Sequence, residues 1–360
     1  MTSPAATEPA GARQRRRQRL VAALALALAG AVALAIGELG IRLYVRHTRG
    51  SLALVMDREL GWRPRPGYDF RGTRVTAAGE PYPVHLTTTP DGFRQCDPPG
   101  SAKPLILVLG DSFTHCMNAS DGKTYYAVLG RELGCDIAAY GCSGYGTLQE
   151  ALTLERYLDR LKPAAVLLQF CSNDFANNHY PTDCRTVSNV FTRPYWEDGV
   201  VRYRMPKSCR WLREIGNHGS YLVYFLFSRV DILIARYRGP HCPSDRALFT
   251  EPHSPAVQVT AELLSRMRAR CGNTPLYTFC ITGDAETEAL IEPFLAEQGL
   301  IVIPGISALL CQRDEGRQAL RLRQDAHLNE TGEAVLGQAL AAWLGTHDSA
   351  WRPAATGDTR

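Results

Sequence analysis

No two of the eleven cysteines in this 360-residue sequence stand in CxxC spacing. That absence removes the common zinc sites and dithiol redox motifs. Neither sign of charge dominates, since 40 lysines and arginines face 36 aspartates and glutamates. Arg13, Arg15, Arg16, Arg17 and Arg19 supply much of the small basic excess. The rest of the chain is close to neutral, so no nucleic-acid partner is expected. The cysteines are numerous for a cytosolic enzyme and fit an oxidising compartment, and their odd number leaves at least one unpaired. Cys184, Cys209 and Cys242 lie in an irregular polar region and are the candidates for bridges, whereas Cys142, Cys171 and Cys280 sit in or beside apolar strands as small buried thiols.

Charge and strongly polar side chains are also missing from Leu20 to Gly37, LVAALALALAGAVALAIG. This stretch is long enough to cross a bilayer as a helix. It exceeds the roughly 7–15 residues of a signal-peptide apolar core, so an uncleaved anchor is expected ahead of a cleaved signal peptide. Glu38 follows at once, and Arg42, one helical turn on, is placed to pair with it and carry the helix to about Val45. The denser arginine cluster precedes the segment, which puts the N-terminus in the cytoplasm and the remainder outside. The expected organisation is a basic N-terminus at 1–19, an anchor at 20–45, and a stalk with short strands at 46–103. A main domain at 104–345 then carries an insertion at 176–252, and a flexible tail occupies 346–360.

From Pro104 onward, apolar runs alternate with helix-like stretches. PLILVLG, CDIAAYG, AAVLLQF, PLYTFCI and LIVIPG read as strands, separated by amphipathic segments such as GTLQEALTLERYLDRL. Such alternation calls for right-handed crossovers onto one parallel sheet with helices on both faces. The expected fold class is α/β, a flavodoxin-like three-layer α/β/α sandwich with a parallel central sheet, preceded by one transmembrane helix. Ligands of such sheets lie outside the carboxyl ends of the strands.

Four motifs fall at those ends. Ser112 follows the first strand in LILVLGDSFTHC, with Gly110 permitting a tight exit turn; alone, such a serine reads more readily as a helix N-cap. YGCSGYGT follows the second strand, but it is not GxGxxG and lacks a following Lys-Ser/Thr. Its backbone N–H groups suit a negative oxygen. FCSNDFANN follows the third and places Asn173 as an amide donor or, more blandly, a turn cap. RQDAHLNETG precedes the final helix and brings Asp325 and His327 to the same edge. A serine alcohol needs a base to become nucleophilic, and the base needs a carboxylate to hold its tautomer. His115 and His179 are the competing bases; His115 more plainly lines the pocket or caps the helix.

These four motifs, in this order, resemble the SGNH (GDSL-like) hydrolase superfamily across about Pro104 to Leu344. The order of anchor, stalk, DGFR and GDSFT is similar to that of membrane-tethered bacterial members. The resemblance implies the SGNH hydrolase fold with Ser112 as nucleophile, His327 as general base and Asp325 as its orienting acid. It further implies an oxyanion hole from the Ser112 and Gly144 N–H groups and the Asn173 side chain, with no metal and no cofactor. Three features depart from the family pattern. Only Ala326 separates Asp325 from His327, a spacing that resembles sugar O-acetyltransferase-like relatives; Cys171 and Ser172 stand where many members have glycines; and Ala139 replaces an asparagine.

The activity expected is that of a serine esterase removing an acyl group, acetyl foremost, from a carbohydrate or similar ester. Its place is a bacterial cytoplasmic membrane, held by a single span with the catalytic domain outside. An acyltransferase using the same triad, and a catalytically idle carbohydrate-binding or assembly module, are the alternatives. The insertion is expected to cover the active-site edge. Within it, SYLVYFLFSRVDILIARY reads as a helix packed on the domain or dipping against the membrane ahead of a second span, because of Arg229 and Asp231. Tyr195, Trp196 and Trp211 are core residues by default and sugar platforms by alternative.

Overall fold

The computed structural model describes the chain except residues 1–9, 50–52, 97–102, 184–190, 206–207, 239–244, 251–252, 315, 317–318, 324 and 352–360; the side chains at 10–12, 48–49, 235–236, 238, 245–246, 250 and 325 are likewise outside the description. Helix α1, Ala10–Arg49, is continuous. Over Arg13–His47 it is the one helix among the described residues long and apolar enough to cross a membrane. Glu38 and Arg42 pair at 2.6 Å, as their spacing predicts.

Two antiparallel hairpins follow, β1 (Leu54–Asp57) with β2 (Gly61–Pro64), and β3 (Asp69–Val75) with β4 (Pro81–Thr87). The segment expected as a stalk is therefore packed on the domain, because Leu60, Trp62 and Phe93 are buried in the main core. Its apolar residues are scattered among Pro, Gly and Thr with no period to read; Leu60, Trp62 and Phe93 join the main core, while Tyr68, Phe70, Val84 and Leu86 form a smaller cluster of their own.

The chain then alternates as expected through β5 (Leu105–Gly110), α2 (Ser112–His115), α3 (Tyr125–Leu133), β6 (Asp136–Gly141), α4 (Thr147–Leu161) and β7 (Ala165–Cys171). Helix α5 (Asp174–Asn178) leads into the insertion, which holds α6 (Tyr180–Asp183), the hairpin β8 (Arg193–Glu197) with β9 (Val200–Arg204), α7 (Arg210–His218), α8 (Tyr221–Arg238) and α9 (Asp245–Thr250). The domain closes with α10 (Pro255–Cys271), β10 (Leu276–Ile281), α11 (Ala285–Glu297), β11 (Ile301–Val302), α12 (Ile306–Arg313), the short hairpin β12 (Arg321–Leu322) with β13 (Asp325–Leu328), and α13 (Glu330–His347).

Five strands form one parallel sheet in the order β11-β10-β7-β5-β6. Taken in chain order this is 2-1-3-4-5, the flavodoxin-like arrangement, whose switch point lies beside the first strand. Alternate residues of each strand face opposite cores. Leu107, Leu109, Val166, Leu168 and Phe170 meet α4, α10 and α11, whereas Ile106, Val108, Ala165 and Leu167 meet α3, α12 and α13. Strands buried on both faces are why the sequence shows solid apolar runs there.

Tyr195 and Trp196 are core residues, while Trp211 is exposed. Helix α8 is docked on α7 through a buried ion pair between Asp231 and Arg213 at 2.7 Å. Cys142, Cys171 and Cys280 are buried, as expected. Cys209, expected as half of a bridge, forms no disulfide; Cys184 and Cys242 lie outside the described residues.

Candidate active site

Ser112 opens α2, but it does not cap it. The cap is Asp111, whose Oδ1 accepts the Phe113 N–H at 2.9 Å. Ser112 is thereby left to project from the first helical position. The Gly110 before it serves contact rather than turning: a Cβ there would stand 2.3 Å from Thr114 Oγ1 and 2.5 Å from Gln169 Oε1.

His327 lies on β13, in a hairpin outside the central sheet. Arg321 steers this hairpin, donating to the Ala326 carbonyl at 2.6 Å while pairing with the buried Asp314 at 2.8 Å. The result is a 2.7 Å contact between His327 Nε2 and Ser112 Oγ. With the hydroxyl donating, Nε2 is the acceptor and the ring proton sits on Nδ1. Phe113 packs against the imidazole with ring centroids 4.6 Å apart. Asp325 stands two residues earlier on the same strand, and its side chain lies outside the described residues.

The glycine loop after β6 reaches the same edge. Gly144 takes a φ of +81°, a left-handed conformation that L side chains adopt with strain. Among the described residues neither the Ser112 nor the Gly144 N–H has a protein acceptor. Asn173, after β7, makes no side-chain cap bond to α5; its amide donates instead to the Asp111 carboxylate. An amide nitrogen carries two hydrogens, so a second donor remains.

His115 does not approach Ser112 as a base. Its Nδ1 bonds the Ser143 hydroxyl at 2.9 Å and accepts the Ser143 N–H at 3.3 Å. Burial, with the charges of Arg94 and His327, pushes its pKa down to about 3, so the ring stays neutral. His179 is occupied with Thr182 at 2.8 Å.

Several neighbours were assigned no role from the sequence, Asp111 and Asp174 inside the motifs and Glu150 and Glu333 outside them. Burial raises the Asp111 pKa, opposed by the Phe113 N–H and the His327 charge. Asp174 is pushed up further by burial and by the Asp111 charge, and Glu150 by burial and by the charges of Asp174 and Asp111. Glu333, at the base of α13, is raised to about 7 by burial against the Tyr125 N–H that it accepts at 2.8 Å. Trp62 and Arg193 also reach the glycine loop, from the first hairpin pair and the insertion respectively. In sequence nothing marks either of them as functional. Elsewhere, Cys280, Glu288 and Glu292 gather three metal-type ligands. Both carboxylates are engaged by backbone N–H groups at Gly305, Ser307 and Ala308, which is a helix-capping role.

Residues 108–335 match the GDSL-like Lipase/Acylhydrolase family. The chain belongs to that family. It is an ester hydrolase. No curated protein matches the sequence. Among solved structures, a family 3 carbohydrate esterase from Clostridium thermocellum is 13% identical, with a TM-score of 0.38 over 67% of this chain and 94% of that one. A lipase/acylhydrolase from Enterococcus faecalis is 12% identical, with a TM-score of 0.39 over 68% and 96%. A variant of an acetyl-xylooligosaccharide esterase from Geobacillus stearmophilus is 13% identical, with a TM-score of 0.40 over 68% and 95%. The family assignment rests on the match over 108–335.

Proposed function

We propose that this GDSL-like hydrolase is a membrane-tethered serine esterase that removes an acyl group, acetyl foremost, from a carbohydrate or similar ester. The observation that carries this reading is the 2.7 Å contact between Ser112 Oγ and His327 Nε2 at the carboxyl edge of the sheet. Ser112 attacks the ester carbonyl carbon as His327 takes its proton. The carbonyl oxygen becomes an oxyanion that accepts from the Ser112 and Gly144 N–H groups and from Asn173. Each such donor lowers the barrier by on the order of 3 kcal/mol. His327 then returns the proton to the departing alcohol oxygen, leaving acyl-Ser112. Water, deprotonated by His327, attacks the acyl carbon and releases the acid. Asp325 serves as the partner of Nδ1, holding the tautomer and stabilising the imidazolium.

On this reading the domain lies outside a bacterial cytoplasmic membrane, the orientation favoured by the arginine cluster in the first turns of α1, ahead of its apolar stretch. The close Asp325–His327 spacing favours a second reading, in which a sugar hydroxyl rather than water attacks acyl-Ser112. The test is hydrolysis of p-nitrophenyl acetate and longer acyl esters by the full chain in detergent, beside Ser112→Ala and His327→Ala. Both variants are expected to lose activity by at least about 1000-fold. A folded wild-type chain with no turnover and no fluorophosphonate label on Ser112 sinks the esterase reading. Labelling without turnover, with acyl transfer to an added sugar, establishes the transferase instead.

A further inference from the structure

The loop that carries Gly144 is gripped by residues outside all four motifs. A trans peptide is planar, with its C=O and N–H pointing in opposite directions. Whatever fixes the Ser143 carbonyl therefore fixes the direction of the Gly144 N–H. Trp62 Nε1 donates to that carbonyl at 3.0 Å. On the other side of the same residue, the Arg193 guanidinium donates to the Gly144 carbonyl. The two grips are joined, because the guanidinium lies over the indole at 4.9 Å from the ring centroid.

Both side chains are nearly inaccessible to solvent, at 1% for Trp62 and 2% for Arg193. They are held in turn by the loop and by α4. The Tyr145 hydroxyl donates to the Trp62 carbonyl at 2.6 Å, and Gln149 bridges, donating to the Leu60 carbonyl at 2.7 Å and accepting from Arg193 at 2.9 Å. Arg193 is also ion-paired with the buried Asp183 at 3.2 Å. A hydrogen bond to a peptide oxygen polarises that peptide and strengthens its N–H as a donor, the more so away from water.

We propose that Trp62 and Arg193 are positioning residues for ester hydrolysis: Trp62 aims and polarises the Gly144 N–H toward the oxyanion of the transition state, and Arg193 fixes the same residue from its carbonyl side. The inference rests on the proposed function above, in which Gly144 is an oxyanion donor. Neither side chain touches the reacting atoms. Trp62 precedes residue 108, where the family match begins, so the catalytic apparatus extends into the membrane-proximal hairpin.

The test compares kcat and KM for p-nitrophenyl acetate among the wild-type full chain in detergent, Trp62→Phe, Arg193→Lys and Ser112→Ala. Trp62→Phe keeps a ring against Arg193 and removes the N–H; Arg193→Lys keeps a cation beside Asp183 and removes the forked donor. Each is expected to lower kcat about 10- to 100-fold with KM little changed. If Trp62→Phe fails to fold, benzothienylalanine in place of Trp62, with sulfur for the N–H in the same shape, carries the same expectation. Full kcat in a folded position-62 variant beside an inactive Ser112→Ala overturns the inference and leaves the hydrolase reading standing. A loss confined to KM overturns it equally. A wild-type chain without turnover or fluorophosphonate labelling of Ser112 overturns the hydrolase reading, and this inference with it.

Discussion

Arg94 Nη2 and Asp121 Oδ1 meet at 3.0 Å, with the guanidinium buried against the helical turn that starts at Ser112. The same guanidinium donates to the carbonyls of His115, Cys116 and Ala119. A one-turn helix leaves its terminal carbonyls without partners, and Arg94, from the DGFR stretch, satisfies them. Arg94→Met is expected to cost about 1–3 kcal/mol, because it leaves several buried carbonyls without a donor, while Asp121 keeps its bonds from Thr87. Urea denaturation measures this; a loss below about 1 kcal/mol would show that water replaces the guanidinium without penalty.

His115 and Glu333 give stability opposite dependences on pH. His115 has a folded pKa of about 3 against an ordinary 6.5, so below 6.5 the unfolded chain takes a proton that the folded chain refuses. Its contribution is full above 6.5 and is lost as pH falls toward 3. Glu333 has a folded pKa of about 7 against an ordinary 4.5. Its contribution is full below 4.5 and is lost as pH rises through 7. Each slope is worth up to about 1.4 kcal/mol per pH unit. His115→Asn is expected to keep more of its neutral-pH stability at pH 4.5 than the wild type does, and Glu333→Gln to keep more of its acid stability at pH 7.5. Parallel stability curves for variant and wild type would contradict both assignments.

Gly110→Ala is expected to damage both stability and turnover. Thr114, which a Cβ would meet, is fixed by bonds to Tyr125 at 2.8 Å and Gln169 at 3.0 Å. The backbone must move instead, at about 1–3 kcal/mol, and Ser112 moves with it. Gly122→Ala is the control, since nothing lies within 4 Å of a Cβ there. Equal melting temperatures and kcat for the two variants would refute the steric argument.

Glu38 caps a helix that is not its own. Its carboxylate accepts the N–H groups of Tyr221 at 3.0 Å and Leu222 at 2.9 Å, while Arg42 stacks over the Tyr221 ring at 4.6 Å. Glu38→Ala is expected to loosen the first turn of α8 by about 1 kcal/mol. The readout is faster hydrogen exchange at Tyr221 and Leu222 in detergent. Unchanged exchange there would mean that the cap carries no energy.

The sheet was legible because its strands are buried on both faces, so that LILVLG, and AVLLQFC but for Gln169, appear as apolar runs. The Ser112–His327 meeting was legible from the order of the motifs, although His327 reaches the edge on a hairpin outside the sheet. The supporting residues were not. Trp62 sits on a four-residue strand, too short for a period to show, and Arg193 reads as an ordinary surface charge until Asp183 and Gln149 are placed around it. A signal of that kind exists only in three dimensions. The hairpin of β12 and β13 was missed for a related reason, as each strand is too brief to alternate.

Trp62, Arg193 and the run from Gly144 to Gln149 belong to three separate stretches of chain, yet each is shaped to the others. Grafting the membrane-proximal hairpin of one relative onto the hydrolase domain of another would join halves cut to different patterns, and the graft would fail at a loop that neither parent had altered.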